Sequence, residues 1–403
     1  MRTIFFEKDI LKILAVKALR PIWPGIIFSS LSPTRFREIP EKPLPGGKWV
    51  RVLNRMSGIC ASDLHLLHVM GDLGIAPVAI PGTDRIYLGH EVLGLVSEVG
   101  SDVTAFRPGD RVILDTFSTC YSQERDDPCR QCRAGNYQLC ESAVSGEGSA
   151  AVGGGWGDSF IAHERQLYRV PDEIGDEAAV LVEPLSVGVR TALRRLPAAG
   201  ESVLVNGCGI VGLNVIQSVR AMASDSRIVA FARYPQQIDM ARKLGADEVV
   251  SGEEPYQAVS RLTGSALYKG PFDSRMILGG FDVVYDCVGS QGSVRDCLRW
   301  TRAGGAVVLA GVSLEVMKID LTPVWYQEVD LIGLIGHGIE SWNGRKVHTY
   351  DLTCELLSGR KLMTDGFITH SFRLGDWKEA VRTASDKRTG VIKAVFDFRD
   401  EVA

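Results

Sequence analysis

Four cysteines stand close together between residues 120 and 140 and have the spacing of a structural zinc site. Cys129, Cys132 and Cys140 follow the pattern Cys-x2-Cys-x7-Cys, and Cys120 precedes them across an acidic insert. Thiolate sulfurs at such spacing hold Zn²⁺ in a closed tetrahedral site. We predict that all four cysteines bind a structural zinc, with Asp126 as the alternative to Cys120.

Cys60 and the pair His90-Glu91 are candidates for a second metal site. Cys60 ends the short run Ser57-Gly58-Ile59-Cys60, and His90 follows Gly89. A thiolate and an imidazole on short loops, together with a carboxylate from later in the chain, leave one coordination position open for a substrate. Spacing alone does not establish this site, because a single cysteine is usually a small buried apolar residue.

A glycine-rich turn predicts a dinucleotide-binding site in the second half of the chain. The turn follows the apolar run Val203–Val205 and opens a helical pattern. It consists of Gly207, Cys208, Gly209, Ile210, Val211 and Gly212. The glycines allow a tight turn, let backbone N–H groups approach a pyrophosphate and let the helix pack on the strand. In this strand–turn–helix context the pattern favours binding of a nicotinamide dinucleotide.

The end of the next strand favours NADP(H) over NAD(H). NAD enzymes place an acid on the ribose 2′-hydroxyl, about 20 residues beyond the glycine turn. Here the strand ends in Ala232, Arg233 and Tyr234, with no acid before Asp239. A small residue followed by an arginine leaves room and positive charge for a 2′-phosphate. The alternative is a solvated Arg233 in an NAD enzyme that lacks the acid.

Two kinds of sequence pattern must position these residues. Up to about residue 175, short alternating runs predict strands separated by turns, as at 49–53, 92–99 and 111–114. The pattern then changes to apolar strands that alternate with helices. The strands are 203–205, 227–231, 281–286 and 306–310, and the helices are 210–222 and 237–244. This alternation predicts an α/β fold with βαβ units and a doubly wound parallel sheet.

Length, charge and cysteine content limit the classes of protein to consider. With 403 residues the chain exceeds what one hydrophobic core usually serves, so we expect two domains. The formal net charge is −4 and no run of lysine and arginine occurs, so we predict no nucleic-acid partner. Nine cysteines, an odd number with one local cluster, favour a reducing, cytoplasmic compartment and a metal over a disulfide framework.

The N-terminal segment is more apolar than a surface segment usually is. Three basic residues interrupt the run 10–30, and Pro21 and Pro24 break any helix. A signal peptide is not expected, because no apolar core with a small-residue cleavage site follows a basic start. We expect an extra strand and loop packed on the body of the protein, and no membrane partner. The alternative is peripheral contact with a membrane.

Further segments occur in an order that is typical of one family. They are Cys60-Ala61-Ser62-Asp63-Leu64-His65, Gly89-His90-Glu91, Pro108-Gly109-Asp110-Arg111-Val112, the segment Gly154 to Phe160, Val182-Glu183-Pro184-Leu185-Ser186, Lys243-Leu244-Gly245-Ala246-Asp247 and Asp282 to Gly289. From about residue 40 onward the chain resembles the zinc-dependent medium-chain dehydrogenase/reductase superfamily, and most of all its alcohol, polyol, threonine and glucose dehydrogenase branches. The resemblance implies a GroES-like β-rich catalytic domain (residues 1–186 and 336–403) and a Rossmann domain (residues 187–335).

The resemblance also implies a role for each residue of the second metal site. Cys60, His90 and Glu183 would hold a catalytic zinc, with Glu91 as an alternate or outer ligand. Asp63 would orient the imidazole of His90.

Proton transfer and cofactor contacts follow from the same resemblance. Ser62 would pass the alcohol proton through the nicotinamide ribose to His65, with His68 as the alternative to His65. The segment Cys287, Val288 and Gly289 would contact the cofactor.

The sequence departs from the family in three segments. The N-terminus is longer before the proline-rich residues 39–43. The loop 70–87 is long and contains glycine and proline, so we expect a different wall of the substrate cleft. Cys120 stands nine residues before Cys129, further than in the family, which leaves Cys120 and Asp126 both open as the fourth ligand.

These observations together predict a zinc-dependent oxidoreductase. It would move a hydride between NADP(H) and the alcohol or carbonyl carbon of a polyol, cyclitol, sugar or secondary alcohol. The alternatives are an NADPH-dependent reductase of C=C or C=N bonds on the same scaffold and a non-catalytic NADPH-binding protein. The expected partners are a small-molecule substrate and copies of the same chain, in a homodimer or homotetramer.

Overall fold

The sequence changes near residue 175 from short alternating runs to strands that alternate with helices, and the structure contains a mixed sheet and a parallel sheet accordingly. The computed structural model describes residues 1–72, 74, 84–143, 152–223 and 225–400. The chain divides into two compact units, Met1–Glu183 with Thr364–Ala403 and Pro184–Met363. The predicted domain limits differ from these units in residues 184–186 and 336–363, and those limits stay a prediction.

The first unit is rich in strands, because its alternating residues place one face of each strand in a core. Its strands are β1 (Arg2–Glu7), β2 (Thr34–Glu38), β3 (Trp49–Gly58), β4 (Arg85–Tyr87), β5 (Val92–Val99), β6 (Arg111–Leu114), β7 (Val152–Gly153), β8 (Ser159–His163), β9 (Leu167–Arg169), β20 (Ile368–Phe372) and β21 (Lys393–Asp397). Its helices are α1 (Ile10–Leu19), α2 (Ala61–Leu67), α3 (Arg130–Arg133), α4 (Asp176–Ala179) and α12 (Trp377–Ser385), and α5 (Val182–Arg194) begins at its edge.

Eight of these strands form one mixed sheet. The order is β20-β21-β3-β5-β6-β9, with β8 paired to β3 and β7 paired to β8. Strand β3 pairs antiparallel with β5, β8 and β21, and its C-terminal end lies between β5 and β21. Because β3 leads directly into Cys60, the pairing fixes the start of the loop that carries Cys60.

The N-terminal residues add a second, three-stranded sheet in the order β2-β1-β4. For residues 10–30 the sequence predicts a strand and a loop packed on the body of the protein. Strand β1 precedes this segment, and residues 10–19 form helix α1, which packs on the body through Ile13 and Val16. The carboxylate of Asp9 accepts a hydrogen bond from Lys12 N at 3.2 Å and so caps the start of α1. The helix ends before Pro21, as a proline in this position requires.

The second unit contains the apolar strands that alternate with helices. Its strands are β10 (Ser202–Asn206), β11 (Arg227–Phe231), β12 (Glu248–Val250), β13 (Leu267–Lys269), β14 (Arg275–Ile277), β15 (Phe281–Asp286), β16 (Thr301–Leu309), β17 (Asp330–Gly333), β18 (Ile339–Trp342) and β19 (Arg345–His348). Its helices are α6 (Ile210–Met222), α7 (Pro235–Lys243), α8 (Pro255–Thr263), α9 (Gln291–Trp300), α10 (Thr322–Tyr326) and α11 (Thr349–Ser358), with most of α5.

Six of these strands form a parallel sheet in the order β12-β11-β10-β15-β16-β17. The order reverses beside β10, since β11 lies on one side of it and β15 on the other. In such a sheet a ligand binds at the carboxyl ends of the strands where the order reverses. The predicted α/β fold with a parallel sheet is therefore confirmed.

No helix in the described part of the chain has the length and apolar character that crossing a bilayer requires. The predicted change in the wall of the cleft concerns loop 70–87, and residues 73 and 75–83 of this loop lie outside the described residues.

Candidate active site and cofactor site

Asp63 ties together the two loops that carry the candidate metal ligands. Cys60 follows β3 and stands at the start of α2, where its backbone N–H donates to Asp63 Oδ2 at 3.3 Å. The N–H of Gly89 donates to the other oxygen, Oδ1, at 3.2 Å. The same oxygen lies 3.6 Å from Nδ1 of His90. The predicted orienting role of Asp63 therefore has a geometric basis.

Cys60, His90 and Glu91 converge on one point. Their ligand atoms all lie within 4.8 Å of one another. Burial acts to lower the pKa of His90, but the Asp63 and Cys60 side chains outweigh burial and raise the pKa well above its usual value. A thiol, an imidazole and a carboxylate at this separation are the donor set that Zn²⁺ prefers. The residues present thus fit a zinc ion.

Glu183 lies close enough to this group for the charges of His90 and Glu91 to act on its carboxyl. It lies in the first turn of α5. Loss of hydration raises the pKa of its carboxyl to about 7; the neighbouring His90 opposes this rise, and Glu91 adds to it. The carboxylate of Glu183 is not among the ligand atoms of the group within 4.8 Å of one another, but the charges of two residues of that group, His90 and Glu91, shift its pKa.

Lys393 is a residue of the site that the motifs did not predict. Its Nζ lies 2.6 Å from both carboxylate oxygens of Glu91 and 3.2 Å from the carbonyl oxygen of Ile59. Both charged side chains are buried. The sequence contained one signal for this residue: Lys393 stands within the largely apolar run Val391–Phe398. A lysine that such a strand buries requires a partner of opposite charge.

Gly58 leaves the space that Glu91 occupies. A Cβ atom added at Gly58 would lie 1.8 Å from Oε2 of Glu91. The glycine at the end of β3 is therefore required by close packing against the site.

The predicted proton-transfer residues lie along helix α2. Ser62 is exposed in its first turn, and His65 is half-buried one turn later. Residues three apart lie on the same side of a helix, so the two side chains are neighbours on its surface. His68 follows at the end of the helix, where its Nε2 lies 3.5 Å from Ser385 Oγ. Burial, and then the charges of Arg20 and His65, lower the pKa of His68.

The four clustered cysteines form a second group. The sulfur atoms of Cys120, Cys129, Cys132 and Cys140 all lie within 4.8 Å of one another. Cys120 Sγ accepts a hydrogen bond from Cys129 N at 3.2 Å and lies 3.7 Å from Cys140 Sγ. A backbone hydrogen bond from Cys132 lowers the pKa of Cys129 to about 6, which favours its thiolate, whereas burial raises the pKa of Cys132 and of Cys140. The structure thus brings Cys120 to the other three, and Asp126 is not part of the group.

The glycine turn joins β10 to α6 at the predicted position. Gly207 has φ +95, which a residue with a side chain rarely adopts. A Cβ at Gly212 would lie 1.9 Å from the carbonyl oxygen of Gly207, whereas a Cβ at Gly209 would meet no atom within 4 Å. The space above Gly209 is therefore open at the N-terminus of a helix, where backbone N–H groups and the helix dipole favour a phosphate.

A cavity of about 670 Å³ opens beside this turn. Of the predicted cofactor residues, it is lined by Gly207, Gly209, Ala232, Arg233, Tyr234, Cys287 and Val288. Ile210, Val211, Gly212 and Gly289 are not among its lining residues. Asp286 holds one side of the cavity, because its carboxylate accepts hydrogen bonds from the backbone N–H groups of Val288 and Gly289.

The residues at the end of β11 form one wall of this cavity. Ala232 is buried and Arg233 is exposed at the rim. Glu253, which the motifs did not predict, also lines the cavity, but its carboxylate is paired with Arg261 at 2.9 Å. Ala232 thus stands directly after the strand, where NAD enzymes carry an acid. The other acid of the cavity, Glu253, is paired with Arg261.

Two family models match the chain. An alcohol dehydrogenase GroES-like domain matches residues 46–172 and a zinc-binding dehydrogenase domain matches residues 211–347. The chain is 31% identical to an L-idonate 5-dehydrogenase of Vitis vinifera over 351 residues, which are 87% of this chain and 88% of the relative. It is 30% identical to a sorbitol dehydrogenase of Arabidopsis thaliana, over 88% of this chain and 90% of the relative.

Solved structures show the same fold. The Bacillus subtilis 2R,3R-butanediol dehydrogenase superposes with a TM-score of 0.70 at 24% identity, over 90% of this chain and 96% of that chain. The Escherichia coli galactitol-1-phosphate dehydrogenase gives a TM-score of 0.71 at 20% identity, over 98% of this chain and 100% of that chain. With its GroES-like and Rossmann-type domains, the chain belongs to the zinc-dependent medium-chain dehydrogenase/reductase superfamily, and is an oxidoreductase of the alcohol dehydrogenase family.

Proposed function

We propose that this protein transfers a hydride between a nicotinamide dinucleotide and the CH–OH carbon of a polyol or related secondary alcohol, with a zinc ion in the active site. The convergence of Cys60, His90 and Glu91 within 4.8 Å, with Asp63 holding both loops, carries the proposal. Relatives that act on idonate, sorbitol and butanediol support a substrate with hydroxyl groups on neighbouring carbons.

Cys60, His90 and Glu183 would hold the zinc. Glu183 is preferred to Glu91 as the carboxylate ligand, because both oxygens of Glu91 are within 2.6 Å of Lys393 Nζ. A zinc ion held there would supply a Lewis acid that makes the alcohol easier to deprotonate. Asp63 holds His90 in one ring orientation, which leaves the other ring nitrogen to the metal.

The hydroxyl proton leaves through the surface of α2. Ser62 Oγ accepts the proton of the substrate hydroxyl while its own hydroxyl proton passes on toward the His65 ring, which lies on the same side of the helix and releases a proton to solvent. The position of both side chains on one exposed helix face supports this path.

The cofactor is proposed to be NADP(H) in preference to NAD(H). Ala232 leaves space at the end of β11, and the Arg233 guanidinium at the rim supplies charge and several donors for a 2′-phosphate. The pairing of Glu253 with Arg261 reduces the repulsion that this carboxylate exerts on the same phosphate.

The cluster of Cys120, Cys129, Cys132 and Cys140 is proposed to bind a second zinc with a structural role. Four sulfurs in a closed group leave no position for a substrate. The metal would hold together a segment in which only short helices occur, such as α3.

The test of the proposed function is the change in nicotinamide absorbance with pools of alcohols, polyols, sugars and their ketones, for wild type and Cys60→Ala. We expect turnover with one pool, loss of turnover by about 1,000-fold or more in Cys60→Ala, and unchanged NADPH binding. Cys354→Ala, which removes a thiol from α11, is the matched control. Retained turnover in Cys60→Ala would contradict the zinc mechanism, and activity only with C=C or C=N substrates would contradict the reaction.

A further inference from the structure

The N-terminal segment carries an apolar surface on its outer side. In helix α1, Ile13 and Val16 are buried in the core of the first unit. The side that faces away from this core carries Ile10, Leu11 and Leu14, and the chain continues into Ile22 and Trp23; the exposed fractions are 58%, 80%, 46%, 82% and 46%. We call these five residues the N-terminal apolar face.

The basic residues of the helix do not interrupt this face. Lys12 contacts the carboxylates of Glu7 and Asp9 at 3.2 and 2.8 Å. Lys17 Nζ donates to the carbonyl oxygen of Gly71 at 2.6 Å. In the same way Arg20 donates to the carbonyl oxygen of His68 at 2.7 Å. The residues that interrupt the apolar run in the sequence are therefore turned toward the body of the protein.

The face is too apolar to be ordinary surface. Single exposed apolar residues are common, but a grouped set of large ones marks a surface that binds a partner or a membrane. Leu11 and Leu14 are one turn apart on the same side of α1, and Ile22 and Trp23 follow its end directly, since both donate backbone hydrogen bonds to Leu19. The face thus presents five large side chains in one short stretch of chain.

Charge distinguishes among the occupants. Residues 1–38, up to the end of β2, contain seven lysines and arginines and three acidic residues, a formal charge of +4, whereas the rest of the chain carries −8 and the whole chain −4. A second copy would bring the same positive segment to the interface, which like charges disfavour. An anionic lipid surface attracts such a segment and accepts its apolar side chains.

We propose that the N-terminal apolar face binds peripherally to the surface of an anionic lipid bilayer. Helix α1 has 10 residues. At about 1.5 Å per residue it is far too short to span a bilayer, so it lies along the interface, with Leu11 and Ile22 directed into the acyl boundary. Trp23 stands at the headgroup level, where tryptophan is enriched in proteins that contact membranes.

This inference unites the two interpretations that the sequence left open. The N-terminal residues do pack on the body of the protein, through Ile13 and Val16. Their opposite side remains free to contact lipid. The proposal does not depend on the dehydrogenase reaction.

Co-sedimentation with vesicles tests the proposal. The full-length protein is mixed with vesicles of phosphatidylcholine alone or with about 30% phosphatidylglycerol. We expect binding to the anionic vesicles, weaker binding to the neutral ones, and a decrease as ionic strength rises from about 0.1 to about 0.5 M. The variant Leu11→Ser/Ile22→Ser should bind the anionic vesicles at least about tenfold more weakly than wild type, because it exposes no large apolar side chain at these two positions.

The matched control removes exposed apolar side chains elsewhere. Tyr268→Ser/Phe272→Ser changes two exposed residues, one in β13 and one between β13 and β14, with exposed fractions of 54% and 105%. This variant should bind vesicles like wild type, and both double variants should keep wild-type dehydrogenase activity without vesicles.

Three results would overturn the proposal. The first is no binding of wild type to anionic vesicles, and the second is equal binding of Leu11→Ser/Ile22→Ser. The third is a result in sedimentation velocity: wild type and the control form an oligomer, Leu11→Ser/Ile22→Ser does not, and neither wild type nor this variant binds vesicles. That result would assign the face to a second copy of the chain.

Discussion

Lys393 Nζ lies 2.6 Å from each carboxylate oxygen of Glu91, and both side chains are buried beside the candidate catalytic metal site. A charge in such a place is stable only with its partner, because burial removes its hydration. The ammonium therefore keeps the Glu91 carboxylate in one position.

Removal of the ammonium should destabilise the protein strongly. In Lys393→Met the Glu91 carboxylate remains buried without a partner, and we expect a loss of about 3–5 kcal/mol in the free energy of unfolding. Urea unfolding measures this loss. The double variant Glu91→Gln/Lys393→Met, which removes both charges, should recover much of it. A single variant as stable as wild type would show that the pair does not hold this position.

The pair also shows where prediction from the sequence ends. Strand β5 and helix α6 have the bounds that the sequence predicted, since alternation and a glycine turn are signals within a few residues. Lys393 and Glu91 are 302 residues apart. Their contact depends on the pairing of β21 with β3, which no local pattern specifies.

The N-terminal segment and Cys120 illustrate the same limit. Strand β1 pairs with β2 and with β4, so the small sheet depends on strands that are distant in the sequence. The spacing of the cysteines left Cys120 and Asp126 both open, because spacing does not specify the path of the insert. In the structure Cys120 Sγ lies 3.2 Å from Cys129 N, and the order of residue types alone does not predict this contact.

Metal content distinguishes the two candidates for the fourth ligand. Cys120→Ser should lose about one zinc per chain, because three thiolates hold the ion far less tightly than four. Asp126→Asn should keep the full content, since Asp126 is not part of the sulfur group. Elemental analysis of the dialysed proteins measures both. Loss of zinc in Asp126→Asn but not in Cys120→Ser would reverse the assignment.

Stability should decrease in acid through His348. Its Nδ1 accepts a hydrogen bond from Tyr350 N at 3.2 Å and so caps helix α11, which requires a neutral ring. Burial, and then the charge of Arg190, lower the pKa of His348 from 6.5 to about 3. The unfolded chain therefore binds a proton that the folded chain does not, and stability falls as the pH decreases from about 6.5 toward about 3.

His348→Asn separates this titration from the cap, because asparagine caps a helix without binding a proton in this range. Between pH 7 and pH 5 we expect wild type to lose about 1–2 kcal/mol more unfolding free energy than His348→Asn. Urea unfolding at both pH values measures the difference, and His370→Asn on β20 serves as the control. Equal pH dependence in wild type and His348→Asn would remove His348 as the cause.

Arg233 should determine the choice of cofactor. Its guanidinium stands at the rim of the cavity beside the buried Ala232, at the end of the strand where NAD enzymes carry an acid. A charged hydrogen bond to a 2′-phosphate contributes about 1.5–3 kcal/mol. Arg233→Ala should therefore weaken NADPH binding by about 10- to 100-fold and change NADH binding by about twofold or less.

Fluorescence titration with each reduced cofactor measures these dissociation constants. Arg242→Ala, at a neighbouring cation on α7 that does not line the cavity, is the matched control for the change in net charge. If Arg233 acts only through general attraction of an anionic cofactor, the control weakens NADPH binding as much as Arg233→Ala does. If Arg233 contacts the phosphate directly, the control binds NADPH like wild type, and only Arg233→Ala loses the preference over NADH.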